Sequence, residues 1–428
     1  LVAAALPAAP LRPNAVASKN LFRDDWKGKL DSQELKLLLD KRITGGMGQF
    51  DGRETNPNKF YIPLARGKCR LVLTYKDNKI DSLEPGPAFD AAEWRKLADE
   101  IESAILVGPP KVGREYSFSS FRVPGSWHGL RSGVQILSPA PEAPRAPVEM
   151  GAHPFILEFP IIGAPNDLWP ITNHRRMREH RRLTLLLNVL LTARVSFHPR
   201  RSEHFWAYIP DADGSGGNGE SRWLQQYFWA PLGAPVTDAL SSPAAERLVE
   251  VESEAYYTNV GHDGNPLRVP ADLDESLCRY GDLSAANRPK FDRAAFWMDI
   301  ASRQWTTSAS SSFASLVSAI ESLTDRGTTH LVYCEQCQAD RSHEVPGATE
   351  RFRSFFETYT PGAALRKRRT QMYDLRSGIL HGSYLMQLDQ NLYFGLDPMD
   401  FNETELQHEL WSITRLALRN WLKNPPAD

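Results

Sequence analysis

A chain of 428 residues leaves room for two or three domains and a sizeable core. Its 41% hydrophobic and 24% charged residues are ordinary for a globular protein, and a formal net charge of −2 excludes a bulk-basic nucleic-acid binder, so any such contact must come from a local patch. Four cysteines (Cys69, Cys278, Cys334, Cys337) point to a reducing compartment rather than a disulfide framework. No apolar run reaches the ~18 residues of a membrane span, and a cytoplasmic protein without membrane contact is expected.

Residues 1–20 are Ala/Pro-rich and read as a flexible leader. Residues 21–235 alternate signals. Leu35, Leu37, Leu38 and Leu39 give a helical pattern over Leu30 to Arg42, stopped by Gly45-Gly46. Cys69 to Tyr75 alternates apolar and polar residues before Lys76-Asp77-Asn78-Lys79, the pattern of a hairpin. Trp94, Leu97, Ile101 and Ile105 mark an amphipathic helix over Ala91 to Leu106. Strands are expected at Glu115–Val123, Gly133–Leu137 and Pro154–Ile162, with a Pro/Ala-rich loop from Pro139 to Pro147. The charged run His174 to Arg182 precedes an apolar helix, Leu183 to Ala193. It reads as a solvated first turn, with an RNA or phosphate patch as the alternative. The Gly-rich stretch Asp211 to Glu220 lacks the Lys and Ser/Thr of a phosphate-binding loop.

Beyond about Pro235 the chain reads as nearly all helical. A short helix is expected in Ser242 to Tyr257 and another from Pro270-Ala271-Asp272, with acids in its first turn. Apolar stripes follow in Asn287 to Trp305, in the helix capped by Ser310 to Ser312, and in Gly347 to Tyr359. A helix from Ala363 to His381 comes next, then a last one with Asn402 and Glu405 as a capping box. The expected fold class is therefore α+β: a mixed N-terminal domain over 21–235, sensory or regulatory, then an all-α bundle over 236–428.

The chemistry-bearing stretch is Tyr373-Asp374-Leu375-Arg376-Ser377-Gly378-Ile379-Leu380-His381-Gly382, behind the basic run Arg366-Lys367-Arg368-Arg369. A guanidinium neutralises charge developing on phosphoryl oxygens, and an imidazole moves protons near neutral pH, which suits phosphodiester cleavage. Arg/His pairs of this kind recur at Arg122/His128 and Arg175/His180. The first straddles Pro124-Gly125 and the second sits in a charged run; the third alone lies in an amphipathic helix. A five-residue step separates the two side chains by about 140° around the axis and ~7.5 Å along it. A shared site therefore needs Arg376 to sweep back, a turn loosened at Gly378 or Gly382, or a second copy of the chain. Gly382 suits the C′ position, which leaves His381 in the last turn.

The order Phe-Asp-Arg-Ala-Ala-Phe-Trp (291–297), Phe-Ala-Ser-Leu-Val-Ser-Ala-Ile-Glu-Ser-Leu (313–323), Cys-x-x-Cys (334–337), Arg-Phe-Arg-Ser-Phe-Phe (351–356) and the 373–382 stretch resembles the Apea-like branch of the HEPN superfamily. The resemblance spans about Asp272 to Leu422. It implies a helical bundle that pairs as a homodimer and acts as a metal-independent endoribonuclease, often a toxin or antiphage effector. The family motif falls on Arg376, Ser377 and His381, with Ser377 in place of the commoner Asn, Asp or His. Glu321 stands where Apea-like members often carry an acid. The implied reaction is attack of a ribose 2′-OH on its own phosphate, with His381 as acid or base and Arg376 on the phosphorane. Products would end in a 2′,3′-cyclic phosphate and a 5′-OH.

Around this core, Arg369 and Tyr373 precede Arg376 by two turns and one turn, and with Arg368 and Lys367 they are candidate RNA contacts. Cys334 and Cys337, read as loop thiols, could join His330 and His343 around a structural zinc; catalysis itself calls for no cofactor. A phage-derived trigger or an antitoxin is an expected partner besides RNA. The alternative is a non-catalytic module in which the bundle holds a nucleotide, a partner protein or an antitoxin, with Arg376 and His381 merely structural.

Overall fold

The computed structural model describes residues 31–40, 59–63, 70–76, 79–85, 91–103, 108–141, 153–164, 168–196, 206–209, 220–223, 233–243, 245–258, 266–305, 307–325, 327–336, 338–362, 366–390 and 398–427. The expected leader, the 211–219 Gly-rich stretch and most of the Pro139–Pro147 loop lie outside them. The class is α+β, with a helical C-terminal region.

The first half runs α1 (Ser32–Asp40), β1 (Lys59–Pro63), β2 (Arg70–Lys76), β3 (Lys79–Pro85), α2 (Ala91–Ile101), β4 (Pro110–Ser119), β5 (Trp127–His128), β6 (Gln135–Leu137), β7 (His153–Ile162), α3 (Trp169–Leu190), β8 (Val195–Ser196), β9 (Trp206–Ile209) and β10 (Glu220–Trp223). The second half runs β11 (Val236–Thr237), β12 (Val249–Val251), α4 (Ser253–Thr258), β13 (Arg268–Pro270), α5 (Leu273–Gly281), α6 (Asn287–Gln304), α7 (Ala309–Glu321), β14 (Thr328–Cys334), β15 (Ala339–Val345), α8 (Ala348–Tyr359), α9 (Arg366–Leu380), α10 (Gln387–Gln390) and α11 (Pro398–Lys423).

Two compact units share the chain, Leu1–Val112 with Pro160–Arg178, and Gly113–Phe159 with Glu179–Asp428. The chain passes between them within β4, β7 and α3, not at residue 235, where the composition changes.

In the first unit β1, β2 and β3 form an antiparallel meander. Alternation along β2 turns Leu71 and Leu73 inward, where they meet Leu35, Leu38 and Leu39 of α1 and Leu97 and Ile101 of α2. Asp31 opens α1 by accepting the backbone N–H groups of Gln33 and Glu34 at 2.8 and 3.1 Å. Arg175 departs from both readings of the basic run. Arg175 is buried, its Nη2 lies 2.7 Å from the Glu34 carboxylate, and its Nη1 donates to the carbonyls of Ile162 and Gly163 at 3.1 Å each. Arg178 reaches Asp31 at 2.9 Å. Arg175 thus ties α1 and the end of β7 onto α3 and is not a solvated charge, while Arg178 pairs with α1 from an exposed position.

In the second unit the main sheet is ordered β11-β4-β7-β6-β5, with β8 paired to β4. Glu158 is fully buried on β7 and accepts from Arg114 Nε at 2.7 Å and from Ser241 backbone N–H at 2.8 Å. His180, expected in solvent, is buried as well: it stacks on Phe159 and its Nε2 sits 2.7 Å from Ser117 Oγ. Leu183, Leu186, Leu187 and Leu190 bury the rest of α3, as their spacing requires.

The C-terminal stripes are buried where periodicity puts them: Phe291, Ala294, Ala295 and Met298 on α6; Phe313, Leu316, Val317 and Ile320 on α7; Phe352, Phe355 and Phe356 on α8; Leu406, Leu410, Ile413, Ala417 and Trp421 on α11. Helix α7 packs on α6, α8, α9 and α11. Four expectations fail. Residues 249–251 are a strand, paired in parallel with β13, so the 242–257 helix shrinks to α4. Ser308, not Ser310 to Ser312, caps α7: it is extended and its Oγ accepts from Ser311 N–H at 3.1 Å. Asn402 lies inside α11, which starts at Pro398. The stretch that ends at Cys334 is a strand, β14, paired antiparallel with β15, in a region expected to be all helical. Among the described residues no helix is long and apolar enough to cross a membrane.

Candidate functional site

Helix α9 presents the Arg/His stretch, and its C-terminus is closed by a Schellman turn. Gly382 takes φ +70°, the left-handed conformation that a Cβ disfavours. The Ser383 N–H donates back to the Gly378 carbonyl at 3.0 Å and the Gly382 N–H to that of Ile379 at 3.1 Å. His381 is therefore the C-cap residue, still bonded through its N–H to the Ser377 carbonyl at 3.0 Å, and its side chain is exposed. The chain then folds back so closely that a Cβ on Gly378 would lie 3.0 Å from that of Tyr384. Tyr384 donates to Glu403, and this carboxylate contact, ahead of burial, pushes the phenol up to about 12.

Arg376 turns the other way. Its Nη2 lies 2.6 Å from Glu321 Oε2 at the end of α7, and the two side chains are 19% and 29% exposed. The guanidinium also lies over the Tyr373 ring at 5.6 Å, and the Tyr373 hydroxyl donates to Glu321 Oε1 at 3.2 Å. Burial first, and then the nearby carboxylate, raise the Tyr373 phenol above its ordinary value. Arg376 Nε is sealed from solvent without an acceptor among the described residues. Three of the residues singled out in the sequence, Glu321, Tyr373 and Arg376, thus form one contact group. His381 is not in it: no side-chain contact joins it to Arg376 among the described residues. Within one chain, Arg376 has not swept back toward it, and α9 runs unbroken through Gly378. Ser377, half-buried, follows Arg376 without a side-chain hydrogen bond among the described residues.

The expected RNA contacts divide. Lys367 is exposed. Arg368 is engaged by Glu409 at 2.5 Å and approached by Glu405 at 3.9 Å, both on α11. Arg369 is 1% exposed; it donates to the Thr360 carbonyl and lies over the Phe356 ring at 5.6 Å. Tyr373 is buried against Phe352. Arg369 and Tyr373 thus pack against α8 rather than standing in solvent.

Of the candidate zinc set, His330, Cys334 and His343 lie on the β14–β15 hairpin. His330 stands opposite His343, and Cys334 opposite Ala339, four positions farther along the hairpin. Cys337 lies outside the described residues.

The sequence reading missed two carboxylates that organise this region. Asp389 accepts from the Ala309 and Ser310 N–H groups at 2.7 and 2.9 Å and from Ser308 Oγ at 2.9 Å, holding the N-terminus of α7. Glu403, buried, accepts from the Gln387 N–H at 2.7 Å and from Tyr384, pinning the segment after the Schellman turn. No local signal marks either; each becomes legible only when distant helix ends meet. No family model, no curated protein and no solved structure matches the chain.

Proposed function

We propose that the chain is a HEPN-like, metal-independent endoribonuclease whose active centre is completed by two copies, Arg376 of one facing His381 of the other. The observation that carries this reading is the split presentation on α9: Arg376 is pre-oriented by Glu321 and Tyr373, while the Schellman turn holds His381 outward at the helix end. Exposed and five residues on, His381 cannot act beside its own Arg376 without rebuilding α9, but it can reach a neighbour's. The 2′-OH of RNA supplies the nucleophile. His381 would take its proton or give one to the departing 5′-oxygen, and the Arg376 guanidinium would donate to the phosphorane. Glu321 acts as a positioning residue. A toxin or defence role and control by the first 235 residues belong to the same proposal.

Incubating the full chain with RNA in EDTA tests it. Cleavage is expected to survive chelation, to leave 2′,3′-cyclic phosphate ends, and to fall by ~10²–10⁴-fold in His381→Ala. Mixing inactive Arg376→Ala with inactive His381→Ala is expected to restore part of the activity, since a mixed dimer keeps one complete site. Unchanged cleavage in His381→Ala would sink the reading. The non-catalytic module is favoured by one observation, that Glu321 already neutralises Arg376. RNA left intact by the native chain, with binding retained, would select it.

A further inference from the structure

Within the second unit a cleft of about 480 Å³ opens between α6, α11 and the end of α3. Its volume falls in the range of small-molecule sites. Its walls are aromatic: Trp305 and His408 lie with ring centroids 5.4 Å apart, and Trp411 lines the same side. Its charge is of one sign, for Arg194 and Arg415 line it and no Asp or Glu does so among the described residues.

Two lining side chains have unmet bonding capacity. Gln407 is 1% exposed, yet neither its amide nitrogen nor its oxygen has a partner among the described residues. Arg415 lies over the Trp411 ring at 5.7 Å with its Nε sealed from solvent and no carboxylate paired to it among the described residues. Burial lowers its pKa below the usual guanidinium value. A buried amide without partners and a partly buried cation without a counter-ion are both costly to maintain for packing alone. Trp411 and Arg415 are one turn apart on α11, and Gln407 precedes Trp411 by one more, so one helix face supplies ring, cation and amide together.

We propose that this cleft is a binding site for a small planar anion, an aromatic ring carrying a phosphate or carboxylate. The ring packs against Trp411 and His408, Arg415 takes the anionic group, and the Gln407 amide bonds the ring edge. This is a site separate from Arg376 and His381, and it stands whether or not the chain cuts RNA.

Isothermal titration of the full chain with adenosine 5′-monophosphate and with indole-3-carboxylate, each against its uncharged counterpart (adenosine, indole-3-carboxamide), tests it. One saturable site per chain is expected for at least one anion, with the neutral partner at least about tenfold weaker. Which anion binds identifies the phosphate or the carboxylate as the source. Arg415→Met is expected to weaken that binding by at least about tenfold with an unchanged or higher Tm, since it removes an uncompensated charge. If Arg415→Met fails to fold, Arg415→Lys is measured instead; it keeps the charge but loses the planar fork, and the same weakening is expected. No saturable binding of either anion up to about 1 mM, or undiminished binding in the folded variant, overturns the proposal.

Discussion

Asp389 connects a short helix to α7, whose other end carries Glu321, the partner of Arg376, and removing the Asp389 carboxylate has a calculable cost. It accepts two backbone N–H groups and one hydroxyl at the start of α7, at 2.7 to 2.9 Å. Caps of this kind contribute ~0.5–2 kcal/mol, and a negative charge on the helix dipole adds ~0.3–1 kcal/mol. The side chain is largely exposed, so Asp389→Ala is expected to cost about 1–2 kcal/mol of stability at pH 7, and Asp389→Asn about half as much. The pH dependence has a definite sign. Burial opposes ionisation, but the bonds from Ser310, Ser308 and Ala309 outweigh it and hold the carboxyl below its ordinary value. A folded pKa below the unfolded one means the stabilisation is complete above the unfolded value of about 3.9 and disappears as pH falls through the lower folded value. Urea unfolding of wild type and Asp389→Ala, followed by circular dichroism, should show a constant gap from pH 7 to about pH 5 and a narrowing one below about pH 4. A gap already closing between pH 7 and pH 5 would refute the assignment, because it would require a group that titrates far above this carboxyl.

Three further outcomes follow from the geometry of α9. In a double-mutant cycle of Arg376→Met and Glu321→Gln, the 2.6 Å pair, only partly shielded from water, should show about 1 kcal/mol of coupling by chemical denaturation; strict additivity would mean the contact does not form. Gly382→Ala should cost about 1 kcal/mol through the +70° backbone angle alone, because a Cβ there meets nothing within 4 Å, and a stabilised variant would contradict the Schellman turn. Arg369→Ala should lower stability by about 2–4 kcal/mol by removing a buried charge-assisted bond and the stack on Phe356, so any loss of RNA cleavage should track loss of fold. An Arg369→Ala protein with native Tm but weakened RNA affinity would return that residue to the binding surface.

What could be read beforehand was what is written locally. The α6, α7, α8 and α11 stripes are visible because residues three and four apart share a face whatever surrounds them. Gly382 as C′ residue was legible for the same reason: its neighbours alone demand a left-handed angle. The hairpin β14–β15 was not. Leu331, Val332 and Tyr333 are all exposed, so no alternation of inner and outer faces is imprinted on Thr328–Cys334. The Asn402/Glu405 pair mimicked a helix start, but Pro398 at the first position of α11 carries the real one. Glu34 and Arg175, 141 residues apart, show the limit of local reading: neither side chain signals that the other will neutralise it.

The two basic runs make the same point more sharply, because helical geometry divides consecutive cations among different faces. Consecutive residues on a helix diverge by about 100°. Lys367, Arg368 and Arg369 must therefore face three directions, and they do: solvent, the Glu409 carboxylate of α11, and the packed side toward Phe356. Along α3 the same rotation sends Arg175 to Glu34 and His180 to Ser117, while Arg182, half-buried, pairs with Glu179 at 2.7 Å. Counting cations in a window overstates the positive surface wherever the window is helical. A nucleic-acid face on α9 has to be assembled from residues three, four or seven apart, and Lys367 supplies the exposed charge within 367–369. Under the proposed RNase reading, phosphate contacts beyond Lys367 among residues 367–369 are supplied from elsewhere on the chain or from a second copy, as the proposed Arg376/His381 centre is.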